Sequence, residues 1–93
     1  MNCTFRQEIE DGEAELDEVL ARIEARVSTG TRFDARRDAC CQHARALLFI
    51  LRRTADRLLS PEERTDLKGR LALRARRLGR LAAKASRRKP RRC

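Results

Sequence analysis

The chain has 93 residues, enough for one small domain, with 23 basic and 14 acidic side chains and a formal net charge of +9. Only 3 aromatic residues, 2 prolines and 4 glycines occur, which disfavours a β fold, whereas the abundant Ala, Leu, Arg and Glu favour helices. No apolar run could span a membrane, and the acidic start does not resemble a signal peptide. We therefore expect a cytoplasmic location and reduced cysteines.

The first predicted helix covers about residues 4–28. Thr4 and Gln7 form a capping-box pattern at its start, and Gly30 is the expected left-handed residue just after its end. Its apolar stripe, spaced at three, four and seven residues, consists of Phe5, Ile9, Leu16, Leu20, Ile23 and Val27.

The second predicted helix covers about residues 32–59 and begins near Thr31 to Asp34. Its expected core stripe is Phe33, Cys40, Ala44, Leu47, Leu51, Ala55 and Leu58. Phe49 and Ile50 then fall on the opposite side, and a helix that is apolar on two sides needs a second partner. The predicted protein interface, for a homodimer or for another protein, consists of Ala39, His43, Ala46, Phe49 and Ile50. A pair of isolated apolar surface residues is the alternative.

The third predicted helix covers about residues 61–87. Ser60, Pro61 and Glu63 form a capping box with proline at the first helical position, the most specific structural signal in the chain. Its stripe consists of Leu67, Leu71, Ala75, Leu78, Ala82 and Ala85. Residues before Pro90 avoid the helical region, so residues 88–93 are expected to form a disordered basic tail.

Together these segments predict a single all-α domain over residues 1–87. The arrangement is either a three-helix bundle or a helical hairpin plus a third helix, completed by dimerisation.

Charge is distributed unevenly along the chain. Residues 1–31 carry 3 basic and 8 acidic side chains, residues 32–60 carry 7 and 3, and residues 61–93 carry 13 and 3. Helices 1 and 3 would be parallel in an up-down-up bundle, so two rows with seven-residue spacing could pair: Glu10, Asp17 and Glu24 with Arg70, Arg77 and Lys84. On the other edge of helix 3, small residues that would allow close helix packing recur at Ala72, Gly79 and Ser86.

A second set of cations is expected to point away from the bundle. These residues are Arg76, Arg80, Arg87, Arg88, Lys89, Arg91 and Arg92. Clustered arginine beside a flexible end is typical of phosphate-backbone binding, and an acidic protein surface would fit equally well. A solvated face that keeps the protein soluble is the alternative, and a GC-rich genome would also raise the arginine content.

No catalytic or metal site is predicted. Cys40 and His43 are three residues apart, but a structural zinc site needs four ligands, and we expect Cys40 to be a core residue. The segment FRQEIEDGEAELDEVLAR resembles in outline the first helix of small all-helical chorismate mutases. That fold requires cationic and polar groups gathered in a buried pocket, and none can be assigned in the rest of the chain. We therefore expect no enzyme, no cofactor and no small-molecule substrate.

The sequence thus supports two hypotheses of function. The first is a small non-enzymatic protein that binds nucleic acid or a nucleoprotein complex through helix 3 and the tail. The second is an inhibitor or adaptor, of the compact kind that phages and mobile elements encode, which blocks a host complex by protein–protein contacts.

Overall fold

A computed structural model of the chain describes residues 3–86, and the side chains of residues 5–86. It contains three helices, α1 (Cys3–Ser28), α2 (Ala39–Leu58) and α3 (Pro61–Ser86), and no strand within this range. Each helix contacts the other two, so the prediction of an all-α protein is confirmed and the arrangement is a three-helix bundle. Dimerisation stays a prediction, and residues 88–93 lie outside the described range.

The end of α1 follows the predicted glycine cap. Gly30 has a φ of 86°, a backbone conformation that residues with a Cβ atom rarely adopt. Its N–H donates to the carbonyl of Val27 at 3.0 Å, and the N–H of Thr31 donates to the carbonyl of Arg26 at 2.9 Å. This pair of hydrogen bonds is the Schellman motif, which satisfies carbonyls that the helix leaves without partners.

The start of α2 differs from the prediction. Asp34 does cap a turn, since its carboxylate accepts the N–H of Arg36 at 3.0 Å, but that single turn, residues 35–37, does not continue into a helix. Asp38 has an extended backbone, and its carboxylate accepts the N–H of Cys41 at 3.0 Å, which makes it the N-cap of α2. The helix therefore begins at Ala39 rather than near residues 31–34.

The start of α3 is as predicted. Pro61 is its first residue, the N–H of Glu63 donates to Ser60 Oγ at 3.3 Å, and the N–H of Ser60 donates to Glu63 Oε1 at 3.2 Å. These reciprocal bonds form the capping box, which stops α2 and begins α3 within two residues.

The core consists of one apolar stripe from each helix. Its members, together with Ala35 of the connection, are Ile9, Leu16, Val19, Leu20, Ile23, Cys41, Ala44, Leu48, Leu51, Ala55, Leu67, Leu71, Leu78, Leu81 and Ala85. On α2 this stripe lies about one residue further along than predicted: Cys41 and Leu48 are buried, whereas Cys40 and Leu47 are half-buried. Leu58, predicted to be core, is exposed.

Close helix packing occurs at a different glycine from the one predicted. A Cβ atom at Gly12 would lie 2.9 Å from Leu51 Cδ2, so α1 and α2 approach closely there. A Cβ atom at Gly79 would have no neighbour within 4 Å, so the small residues on that edge of α3 do not serve close packing at Gly79. None of the three described helices is long and apolar enough to cross a membrane.

Candidate interaction surfaces

A ladder of ion pairs joins α1 to α3. Arg70 Nε donates to Glu13 Oε2 at 2.9 Å, and Arg74 donates to both oxygens of Asp17, at 2.7 and 3.0 Å. Arg74 also donates to Glu13 at 3.0 Å, and Arg77 pairs with Glu24. The hydrogen bond from Arg74 lowers the pKa of Asp17, as expected for a carboxylate held in its charged form.

The spacing of the ladder gives the direction of the two helices. The pairs Glu13–Arg70 and Asp17–Arg74 are both separated by 57 residues in sequence, and so is the pair Arg6–Glu63 near the start of each helix. Because these three pairs, at different heights along the helices, share the same difference, α1 and α3 run parallel. The predicted parallel pairing of an acidic edge of helix 1 with a basic edge of helix 3 is therefore confirmed.

The members of the ladder differ in part from the predicted rows. Glu13 replaces Glu10, because Glu13 lies closer to the core stripe of α1 and its side chain is only 13 % exposed. Arg74 takes part as well, although a strict seven-residue spacing does not include it. Glu10 and Lys84, both predicted partners, form no ion pair within residues 3–86.

A second group of arginines lies outside the ladder. Arg76 and Arg80 are exposed on α3, one helical turn apart, and neither forms an ion pair with a described residue. Leu73 lies beside them, 62 % exposed, in a shallow depression that the ladder arginines also line. We call Leu73, Arg76 and Arg80 the α3 arginine face. The other predicted contacts, Arg87, Arg88, Lys89, Arg91 and Arg92, lie outside the described residues.

The solvent-facing side of α2 carries the predicted interface residues. All of them are exposed, with Phe49 at 60 % and Ile50 at 55 %. Arg53 lies over the Phe49 ring at 5.7 Å, close enough for a cation–π interaction. We define the α2 outer face as Ala39, His43, Ala46, Phe49, Ile50, Arg53 and Arg57. Arg53 and Arg57 were not part of the predicted interface, although their seven-residue spacing from Ala46 and Ile50 places them on the same face.

The two ends of the α2 outer face differ in charge. At the end near the start of α2, His43 Nε2 lies 2.9 Å from Glu15 Oε2 of α1. At the other end, Arg53 and Arg57 are exposed and form no ion pair with a described residue, since the nearby Asp56 pairs with Lys68 at 2.7 Å. One end of the face thus presents a carboxylate and the other presents two guanidinium groups.

The two cysteines of α2 differ in burial. Cys41, and not Cys40, is the buried thiol, which corrects the prediction for this pair. Burial, with a smaller contribution from the nearby Asp38 carboxylate, raises the pKa of the Cys41 thiol to about 11, so this thiol is neutral and a poor nucleophile at physiological pH. In the part of the chain that the structure describes, no three His, Cys, Asp or Glu side chains come together as metal ligands.

Comparison with known proteins does not extend these observations. No family model matches the chain, and neither a curated protein nor a solved structure matches it.

Proposed function

We propose that this chain is a small non-enzymatic protein that binds nucleic acid or a nucleoprotein complex through the α3 arginine face and the basic residues that follow it. The observation that carries the proposal is the division of the α3 arginines into two sets. Arg70, Arg74 and Arg77 are neutralised by α1, whereas Arg76 and Arg80 are exposed and without a described partner. The second set is available for external anions.

The chemistry of this face favours phosphates over bases. Guanidinium groups match phosphate oxygens with two parallel hydrogen bonds, and residues 87–93 add five more basic side chains next to the face in sequence. No aromatic residue occurs between Ser60 and Cys93, so α3 offers no ring on which a base could stack. We therefore expect the protein to bind the phosphate backbone of a nucleic acid, with an affinity that differs little between nucleotide sequences.

Salt dependence tests this proposal quantitatively. Binding of a labelled DNA duplex, followed by fluorescence anisotropy, should weaken with salt. The two described arginines and the five later basic residues allow at most seven phosphate contacts. The slope of log K against log[salt] should therefore be no steeper than about −6. A chain ending at Ser86 should keep a slope of about −2 at most.

Point variants locate the contact. Replacing Arg76 and Arg80 together by glutamine should reduce the slope by about 2 and weaken binding similarly for unrelated DNA sequences. Arg22→Gln is the matched control, since it removes an exposed arginine from α1 and should leave the slope unchanged. An affinity that does not change with salt, or that is the same after removal of residues 87–93, would contradict the proposal.

The second candidate function is that of an inhibitor or adaptor that acts on another protein, of the kind that phages and mobile elements encode. The exposure of Phe49 and Ile50 favours it, because two large apolar side chains on one surface are typical of protein contacts. A pull-down from nuclease-treated lysate distinguishes the two candidates. A partner that is retained by the Arg76 and Arg80 variant but lost with Phe49→Glu supports a protein-directed role, whereas loss of all partners after nuclease treatment supports nucleic acid.

A further inference from the structure

The α2 outer face has the pattern of a surface that is complementary to itself. His43, Ile50 and Arg57 are spaced by seven residues, so they lie along one edge of the helix, and each step covers about 10.5 Å. Glu15 of α1 lies next to His43 on this edge. The apolar Ile50 is therefore midway between a carboxylate at one end and the Arg57 guanidinium at the other.

Two-fold symmetry converts this arrangement into matched contacts. When two such helices pack antiparallel about a two-fold axis at Ile50, positions equally far before and after Ile50 come to lie opposite each other on the same edge. Arg57 of one copy then faces the partner's Glu15 and His43, and the same contact occurs twice. Glu15 can accept this contact because His43 engages only its Oε2 atom.

The remaining residues of the face fit the same arrangement. Arg53 lies three residues after Ile50 and the partner's Ala46 lies four before it, so the two fall within one residue of each other on the same edge. Ala39 and Ala46 are small enough to allow a neighbouring helix to approach. Ile50 meets its own copy on the axis, and Phe49 covers the adjacent edge. A parallel pair would instead place Arg53 and Arg57 of both copies at the same end, where like charges repel.

We propose that the α2 outer face binds a second copy of this chain in an antiparallel, two-fold arrangement about Ile50, with Arg57 paired to the partner's Glu15. This contact is independent of the α3 arginine face, which lies on a different helix. Because the face is one helix wide, the area buried in the dimer is at the lower end of the range for specific interfaces. The dimer therefore forms as the protein concentration rises and dissociates on dilution.

The test is a charge-exchange experiment followed by sedimentation velocity over a concentration series, with nuclease-treated protein. The wild-type chain should shift from monomer to dimer as concentration rises, and Ile50→Glu should remain monomeric. Glu15→Arg and Arg57→Glu should each weaken the dimer on the order of tenfold. The double variant with both changes should recover to within about threefold of wild type, because the exchanged charges pair again across the axis.

Two controls separate this contact from general effects of charge and folding. Glu10→Arg reverses an exposed charge on the side of α1 that faces α3, and it should leave the dimer unchanged. Circular dichroism establishes that each single variant keeps its helical content. A wild-type chain that stays monomeric at every concentration, or a double variant no better than the singles, overturns the proposal. The Arg76 and Arg80 variant should dimerise like wild type, so failure of DNA binding and failure of dimerisation are distinguishable.

Discussion

Asp38 links the start of α2 to the end of α1, and its replacement tests how this bundle positions its second helix. The side chain is only 10 % exposed. Its carboxylate accepts the N–H of Cys41 at 3.0 Å and two hydrogen bonds from Arg26, at 2.7 and 3.3 Å. The Arg26 guanidinium also lies 3.9 Å from the centre of the Phe33 ring, so one cluster holds both helix ends and the connection between them.

The contributions can be separated by choice of substitution. Loss of an N-cap side chain costs about 1 kcal/mol. The ion pair adds about 1 kcal/mol rather than more, because the Arg26 side chain is 34 % exposed and water screens it. Asp38→Ala should therefore lower the free energy of unfolding by about 2 kcal/mol. Asp38→Asn keeps a capping oxygen but loses the charge, so it should cost about half as much.

Urea denaturation followed by circular dichroism measures these differences, and a double-mutant cycle with Arg26→Ala isolates the pair. The cycle should give a coupling energy of about 1 kcal/mol, with the loss of the Phe33 contact cancelling between its two arms. A coupling energy near zero, or an Asp38→Ala cost below about 0.5 kcal/mol, would refute the assignment of Asp38 as the residue that positions α2.

The pH dependence provides an independent check with a definite sign. Hydrogen bonds from Arg26 hold the pKa of Asp38 below its usual value in the folded chain. A carboxylate of this kind stabilises the fold above its unfolded pKa, and that stabilisation is lost as the pH falls through the lower folded pKa. The difference in unfolding free energy between wild type and Asp38→Ala should therefore shrink on acidification. The Asp17 contribution is common to both chains and cancels in this difference.

Two further predictions use the glycines and the cysteines. Gly79→Ala should raise the free energy of unfolding by about 0.8–1 kcal/mol, since the added methyl group meets no neighbour, and thermal unfolding should show a higher midpoint. Gly12→Ala should gain less or lose stability, because its methyl group would meet Leu51 Cδ2 at 2.9 Å; equal gains at both positions would contradict the close approach of α1 and α2. In a chain whose terminal cysteines are replaced by serine, iodoacetamide should label Cys40 well before Cys41, and mass spectrometry of the labelled peptides would detect the reverse order.

The glycine cap at the end of α1 and the capping box at the start of α3 were predicted correctly, because the sequence offers a single candidate for each. The start of α1 lies at Cys3, before the predicted cap Thr4. Ser60 and Glu63 satisfy each other within four residues of sequence, and Gly30 is the only glycine near the end of α1. The start of α2 was predicted wrongly because Asp34 and Asp38 are both good N-caps in sequence. Arg26, twelve residues away from Asp38, decides between them, and that choice depends on tertiary contact.

The surfaces were predictable to different degrees. The apolar run that contains Leu47 and Leu48 allows two phases of the core stripe, so the choice between Cys40 and Cys41 could not be made from periodicity. Phe49 is exposed in either phase, and for that reason the prediction of an exposed apolar face was insensitive to the error. The charge ladder was predicted on the correct edges, but Arg74 was missed because its pairing depends on how far α3 is rotated against α1.

The spacing of the α1–α3 ladder affects how uniquely the two helices are aligned along their length. Partners are separated by 53, 57 or 61 residues, and these values differ by four, close to one helical turn. If α3 slid along α1 by one turn, about 5.4 Å, carboxylates and guanidinium groups could exchange neighbours and remain paired. Electrostatics thus selects which edges meet and in which direction, but it distinguishes poorly between adjacent alignments. The choice of alignment depends on the leucines of the interior, so substitutions such as Leu71→Ala should increase sliding between these two helices as well as reduce stability.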